Sequence, residues 1–305
     1  MDKNDSCQAG FWFIRNKQST AMRIFVTGSS GFLGSHLIPL LYREKHKVLL
    51  LSRSGGGKDY IKGDLANMGA WKNKVKKFKP DAAIHLAWEG VAHYHATIPD
   101  MAFRNIDNSL QLVRFLGKIG CKRFVALGSA AEYAKDLTPF SVSKTSFRIL
   151  GEATAHQYGM EFFWATPFYI YGPGQRKEAL LPHAITALFR GSLPDIKNPD
   201  VSQDFIYVED VAKALLLIAK KGKKETSQYQ IGSGKAFWVG NILNIVYSKF
   251  GLRMPYKKPK RAGFGKVATP LTANIDVLKR LGWRPEIVLK KGIGKTVDYY
   301  RKNLL

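Results

Sequence analysis

Short apolar runs and amphipathic stretches alternate along the first half of this chain. Arg23–Thr27, Val48–Leu51, Asp59–Lys62, Ala82–Leu86, Arg123–Leu127 and Phe162–Thr166 read as strands, each too short for a helix and bounded by polar or turn residues. Between them Phe32–Lys45, Ala66–Phe78, Ile98–Ile119 and Ser141–Tyr158 repeat apolar residues at helical spacing, and Pro39 predicts a kink in the first. Strands separated by helices must run parallel, and right-handed crossovers then place helices on both faces of a doubly wound sheet. After Tyr171 the rhythm breaks at the turn cluster Gly172-Pro173-Gly174. Irregular loops follow, then a strand at Asp204–Tyr207, a helix at Val211–Lys220, a strand at Tyr229–Ile231, and helices near Val239–Phe250, Ile275–Leu281 and Gly294–Tyr300. That is too little for a second complete unit of the same kind.

The first strand runs into Thr27-Gly28-Ser29-Ser30-Gly31-Phe32-Leu33-Gly34, and the first helix runs out of it. Each glycine has a separate task. Gly28 permits a tight turn, Gly31 lets backbone approach a diphosphate, and Gly34 lets the helix pack on the strand. The amides from Ser30 through Leu33 then belong to a helix N-terminus, whose dipole favours an anion. A glycine triplet alone is weak, but the strand–loop–helix context is the one the motif requires. The expected fold is therefore α/β, a Rossmann-type doubly wound parallel sheet with a smaller C-terminal substrate-binding lobe. A disordered leader is expected over 1–21, the dinucleotide-binding domain over 22–170, and the lobe, with returns to the main sheet, over 171–305. The second strand ends in Leu51-Ser52-Arg53-Ser54, without the acidic residue that meets an NAD ribose. Arg53 can pair with a 2′-phosphate, which favours NADP over NAD. The loop after the fourth strand should face the same cleft, making Trp88, His93 and Tyr94 candidate substrate contacts.

The spacing of the three glycines resembles the extended short-chain dehydrogenase/reductase superfamily, and further stations agree in order from Met22 to about Tyr300. Gly63-Asp64-Leu65 resembles the segment that meets adenine, and His85-Leu86-Ala87 the turn that flanks the cofactor. Asn105 stands where the family keeps a helix asparagine, and Leu127-Gly128-Ser129 resembles the catalytic-serine segment. Tyr171-Gly172-Pro173-Gly174-Gln175 and Asp204-Phe205-Ile206-Tyr207 resemble the nucleotide-sugar epimerase, dehydratase and reductase branch. The resemblance implies a small-molecule, nucleotide-sugar substrate and a homodimer built on the two long helices. It makes Asp64, Leu65, Leu86, Ala87 and Lys144 cofactor contacts, and Ser129 and Lys144 catalytic.

The same resemblance exposes departures. The family's proton-relaying tyrosine, four residues before Lys144, is Phe140 here, and a phenyl ring neither donates nor accepts a proton. Gln203 replaces a diphosphate-contacting arginine, and Tyr169 replaces an asparagine. Both become candidate substrate contacts. Tyr133 and Ser129 are the candidate substitutes for the missing acid. Three readings stay open: an oxidoreductase or epimerase/dehydratase with a substitute acid, a lyase or isomerase that does not need the tyrosine, and a cofactor-binding protein or sensor without turnover.

Composition narrows this only slightly. The 305 residues carry two cysteines, Cys7 and Cys121, with no disulfide framework or metal-ligand spacing, as suits a reducing, cytoplasmic setting. No apolar run is long enough for a membrane span. The formal charge of +25 invites a polyanion, but the lysines are scattered without interleaved stacking aromatics, which argues against nucleic acid.

Overall fold

The structure, a computed structural model, describes residues 21–91, 98–134, 137–253, 255–257 and 271–304. The first half contains β1 (Arg23–Thr27), α1 (Phe32–Arg43), β2 (Lys47–Ser52), β3 (Tyr60–Lys62), α2 (Lys72–Phe78), β4 (Ala82–His85), α3 (Pro99–Lys118), β5 (Arg123–Leu127), α4 (Pro139–Gln157) and β6 (Glu161–Pro167). The second half contains β7 (Tyr169–Tyr171), α5 (Leu180–Phe189), β8 (Ser202–Gln203), β9 (Phe205–Tyr207), α6 (Val208–Lys221), β10 (Gln228–Ile231), β11 (Phe237–Trp238), α7 (Val239–Lys249), α8 (Asp276–Arg280) and α9 (Leu289–Leu304).

The main sheet has seven strands in the order β10-β6-β5-β4-β1-β2-β3, and every neighbouring pair is parallel. The order reverses between β1 and β4, which opens a crevice at their C-terminal ends, where open α/β sheets bind ligands. Because strand residues alternate faces, Ile24 and Val26 join the core under α1 and α6, while Phe25 joins the opposite core under α2, α3 and α4. A third core, of Leu181, Ile185, Ile242 and Ile293 among others, holds α5, α7 and α9 together with the β7–β9 pair.

Three expectations change. The helix expected over Ala66–Phe78 is split: a 3-10 turn spans Leu65–Ala70, with Asn67 off helical geometry, before α2 begins. The cause is Trp71, only 1% exposed, whose Nε1 donates to the Asp64 carbonyl at 2.7 Å and draws the chain inward. The irregular stretch expected before Asp204 contains α5, which buries Leu181, Ala184, Ile185 and Leu188. Finally, α1 runs through Pro39 as one helix.

Buried carboxylates tie the segments of the second half to one another. Asp204, 1% exposed, accepts hydrogen bonds from the amides of Ser233, Gly234 and Ala273 and from the Ser233 hydroxyl. Asp210 accepts from the Glu286 and Ile287 amides, and burial holds its carboxyl above the usual carboxylate range. These bonds bring β10 back to the edge of β6 and lay α6 against α1.

Candidate functional site

The glycine bend is pressed against the exit of β4. Gly28 has a φ of +70°, and a Cβ there would stand 2.6 Å from the Ala87 nitrogen. A Cβ on Gly34 would stand 2.5 Å from the carbonyl oxygens of Gly28 and Ser29. Only glycine fits both places. Gly31 caps α1 without any side-chain hydrogen bond, and the first turn holds no acidic residue, so the positive helix end is left for an anion. Leu33 is buried in the core and Phe32 packs beside it, so only their backbones can serve a ligand.

A cavity of about 360 Å³ opens at this bend, within the usual range for ligand pockets. Of the residues singled out from sequence, Gly28, Ser30, Gly31, Arg53, Asp64 and Leu65 line it, as do Leu86, Ala87 and Trp88. Asn108, Ser109 and Glu89 line it too, and sequence reasoning passed over them. The signal was present: Asn105, Asn108 and Ser109 share one face of α3. Asn105 bonds both ways with the Glu89 backbone, its Oδ1 accepting from the amide and its Nδ2 donating to the carbonyl.

Beneath the cavity floor runs a buried polar chain. Thr27 Oγ1 lies 2.7 Å from His85 Nδ1, His85 Nε2 lies 3.0 Å from Ser109 Oγ, and Ser109 donates to the Asn105 carbonyl. Burial first, and then the charge of Lys144, hold the His85 imidazole down to about 3, so it stays neutral and acts as a hydrogen-bonding spacer.

The catalytic candidates occupy different sides of β5. Lys144 is 4% exposed; its Nζ donates to the Leu127 carbonyl at 2.7 Å and sits 3.7 Å from the centre of the Trp88 ring. Burial lowers the amine to about 7 against the opposing pull of Glu132. Phe140, one turn earlier and 4% exposed, has its ring centre 6.0 Å from that Nζ. Ser129 caps the short helix after β5, accepting from the Ala131 amide, while Glu132 accepts from the Ser129 amide and from Trp164 Nε1. Tyr133, 41% exposed, lies against Phe168, and its hydroxyl accepts from Gln230 Nε2 at 3.2 Å. It therefore faces β6 and β10, whereas Lys144 turns towards Trp88 at the exit of β4. Tyr169 packs on Phe205, and Gln203 pairs with Phe237; neither lines the cavity. His93 and Tyr94 lie outside the described residues.

Fold and cleft together define a Rossmann-type nucleotide-binding protein with its ligand crevice at the β1/β4 switch point. The chain belongs to the NAD dependent epimerase/dehydratase family, which matches residues 24–232. That family is one of NAD-dependent epimerases and dehydratases. The CDP-abequose synthase of Salmonella typhimurium is 28% identical to it over 297 residues, covering 88% of this chain and 95% of that one. The UDP-glucose 4-epimerase of Thermotoga maritima, solved with UDP-glucose, superposes with a TM-score of 0.78 at 22% identity, over 93% of this chain and 100% of that one. The UDP-glucose 4-epimerase of Thermus thermophilus, solved with NAD, superposes with a TM-score of 0.75 at 22% identity, over 92% and 99%. At that identity the two superpositions show the fold alone. Among the described residues no helix is long and apolar enough to cross a membrane, and no cluster of potential ligands fits a metal ion.

Proposed function

We propose that this chain binds NAD(P) across the β1/β4 crevice and acts on a nucleotide-activated sugar as an oxidoreductase or epimerase/dehydratase. The observation that carries the reading is the backbone-to-backbone seat of Gly28 on Ala87, beside an uncapped helix end and a cavity of about 360 Å³. Diphosphate oxygens suit that seat, since no side chain intervenes. Asp64 and Leu65 flank the adenine end, and Leu86 and Ala87 form the wall. Bound nicotinamide would supply the acceptor or donor of hydride. Lys144 is the residue for the nicotinamide ribose, Ser129 for orienting a substrate carbonyl, and Tyr133 for proton transfer through its exposed hydroxyl. Trp88, His93, Tyr94, Tyr169 and Gln203 are the substrate-side candidates.

The 2′-phosphate preference rests on Ser52 and Arg53, which line the cavity where β2 ends, and Arg53 is exposed. Fluorescence titration with NADPH and NADH tests this: Arg53→Ala should weaken NADPH about tenfold or more while leaving NADH nearly unchanged, as expected for loss of one bidentate charge pair. If neither dinucleotide binds, the whole reading is removed.

A second reading, a cofactor-binding protein without turnover, is favoured by the buried Phe140 ring beside Lys144. Assays with nucleotide sugars separate the two. Activity in the native chain that is lost in Tyr133→Phe supports the substitute acid. Activity confined to Phe140→Tyr supports the second reading.

The homodimer belongs to the same proposal. The packed pair α3 and α4 exposes Phe103 (69%), Ile149 (56%) and Leu150 (47%), an apolar surface suited to a second copy.

A further inference from the structure

Trp88 stands between the cleft and the lysine that a working site needs. It follows the exit of β4, and its ring packs against Phe147 of α4 at 5.8 Å between centres. Lys144 Nζ rests on the indole at 3.7 Å and bonds to the Leu127 carbonyl at 2.7 Å. The amine is thus held between a carbonyl and an aromatic face. The cavity wall includes Trp88, Glu89 and Asn105, and it does not include Lys144. What lines the open space is the set that suits an adenosine diphosphate: the glycine bend, Ser52, Arg53, Asp64 and Leu65. At about 360 Å³ the space is near the small end of ligand pockets.

A second observation bears on how firmly the indole is held. Among the described residues, Trp88 Nε1 is buried and has no hydrogen-bond partner. Buried indole N–H groups usually find an acceptor, and one left without it is costly. The ring therefore gains the cation–π contact with Lys144 and loses hydrogen bonding at its own nitrogen. Such an arrangement can be displaced by a ligand that offers the amine hydroxyl partners and lets the nitrogen reach water or an acceptor.

We propose that Trp88 is a gate on Lys144: at rest the indole confines the preformed pocket to the adenosine-diphosphate half of the cofactor, and the nicotinamide ribose reaches the lysine only by displacing the ring. The proposal rests on the dinucleotide reading and adds which half of the ligand the resting site accepts. An ADP-class ligand, which lacks the second ribose, leaves the gate shut. A whole dinucleotide must open it, and its apparent affinity falls by the fraction of molecules whose gate is open.

Calorimetric titration of the native chain, Trp88→Ala and Trp88→Leu with NAD and ADP, and with their 2′-phosphorylated counterparts, tests the gate. In the native chain the two ligands of a pair should bind within about threefold of each other, because opening offsets the contacts of the nicotinamide and its ribose. Both variants should tighten the dinucleotide about tenfold and leave the ADP ligand unchanged. Unchanged ADP binding also shows that a variant is folded, and Trp88→Leu keeps apolar packing on Phe147. Native indole fluorescence should respond to the dinucleotide and not to ADP, and Trp88→Leu should lose that difference. If the native chain prefers the dinucleotide by more than tenfold and the variants weaken it, Trp88 is a stacking platform and the gate is wrong. If ADP binds and removing the indole changes neither ligand, the gate is also wrong while the dinucleotide reading stands. If neither ligand binds the native chain, the dinucleotide reading falls and the gate with it.

Discussion

At Lys144 burial and chemistry pull in opposite directions. Folding strips water from the amine and lowers it from 10.5 to about 7, burial being the larger cause and Glu132 opposing it. Below about 7 both the folded and unfolded chains carry the proton, and the folded state bears the full cost of a buried charge. Between about 7 and 10 the unfolded chain holds more protons, so this group makes stability rise with pH. Lys144→Met should therefore be more stable than the native chain at pH 6, and the gap should shrink towards pH 10 in denaturant unfolding curves. A gap that does not change with pH would mean the amine keeps an ordinary affinity for its proton. His85 makes its own rise lower down, between about pH 3 and 6.5, where the unfolded imidazole carries a proton and the folded one does not. The one-atom difference between Phe140 and a tyrosine is decisive for the same reason of scale: a single hydroxyl is the whole proton relay.

Among elements, the decisive joints are the bend before α1 and the carboxylate after β8. The bend works because two backbones meet with nothing between them, which the positive φ of Gly28 permits. Asp204 works in the opposite way, filling a gap with acceptors: four donors from the segments around Ser233 and Ala273 converge on one side chain. Asp204→Ala would leave those donors buried without partners, so a loss of about 3 kcal/mol or more in urea unfolding is expected. Asp204→Asn keeps one acceptor oxygen and should lose less. A change under about 0.5 kcal/mol for the alanine variant, the size of an ordinary surface substitution, would mean the cluster does not tie these segments together.

For the whole molecule, the formal charge of +25 and the exposed apolar pair of helices make different predictions. A homodimer through α3 and α4 should sediment as a dimer, and the double substitution Phe103→Asp and Leu150→Asp should yield a folded monomer. A native chain that is monomeric at micromolar concentration would exclude that interface. Spread charge without a stacking surface predicts no DNA retention even at low salt; retention that weakens steeply with salt would overturn this.

How much of this was legible without coordinates depends on whether the information was local. The alternation of strands and helices, the glycine bend and the cavity-lining Arg53 could be read directly, since backbone conformation, side-chain period and turn chemistry depend on neighbours in sequence, while the cavity-lining Asp64 and Leu86 were legible only through the family resemblance. The loss of the tyrosine was equally plain as a letter. Other features came only with packing. The apolar spacing of α5 was visible, yet nothing local shows that α7 and α9 cover it. Trp71 breaks the expected helix because a distant core draws it in. Trp88 lies 56 residues from Lys144 in sequence, and the turning of Tyr133 towards Gln230 spans 97. Contacts at such separations follow from strand order and rotamer choice, which no periodicity encodes. Sequence thus determined the scaffold and the glycine bend, and tertiary structure alone decided what stands in front of the lysine.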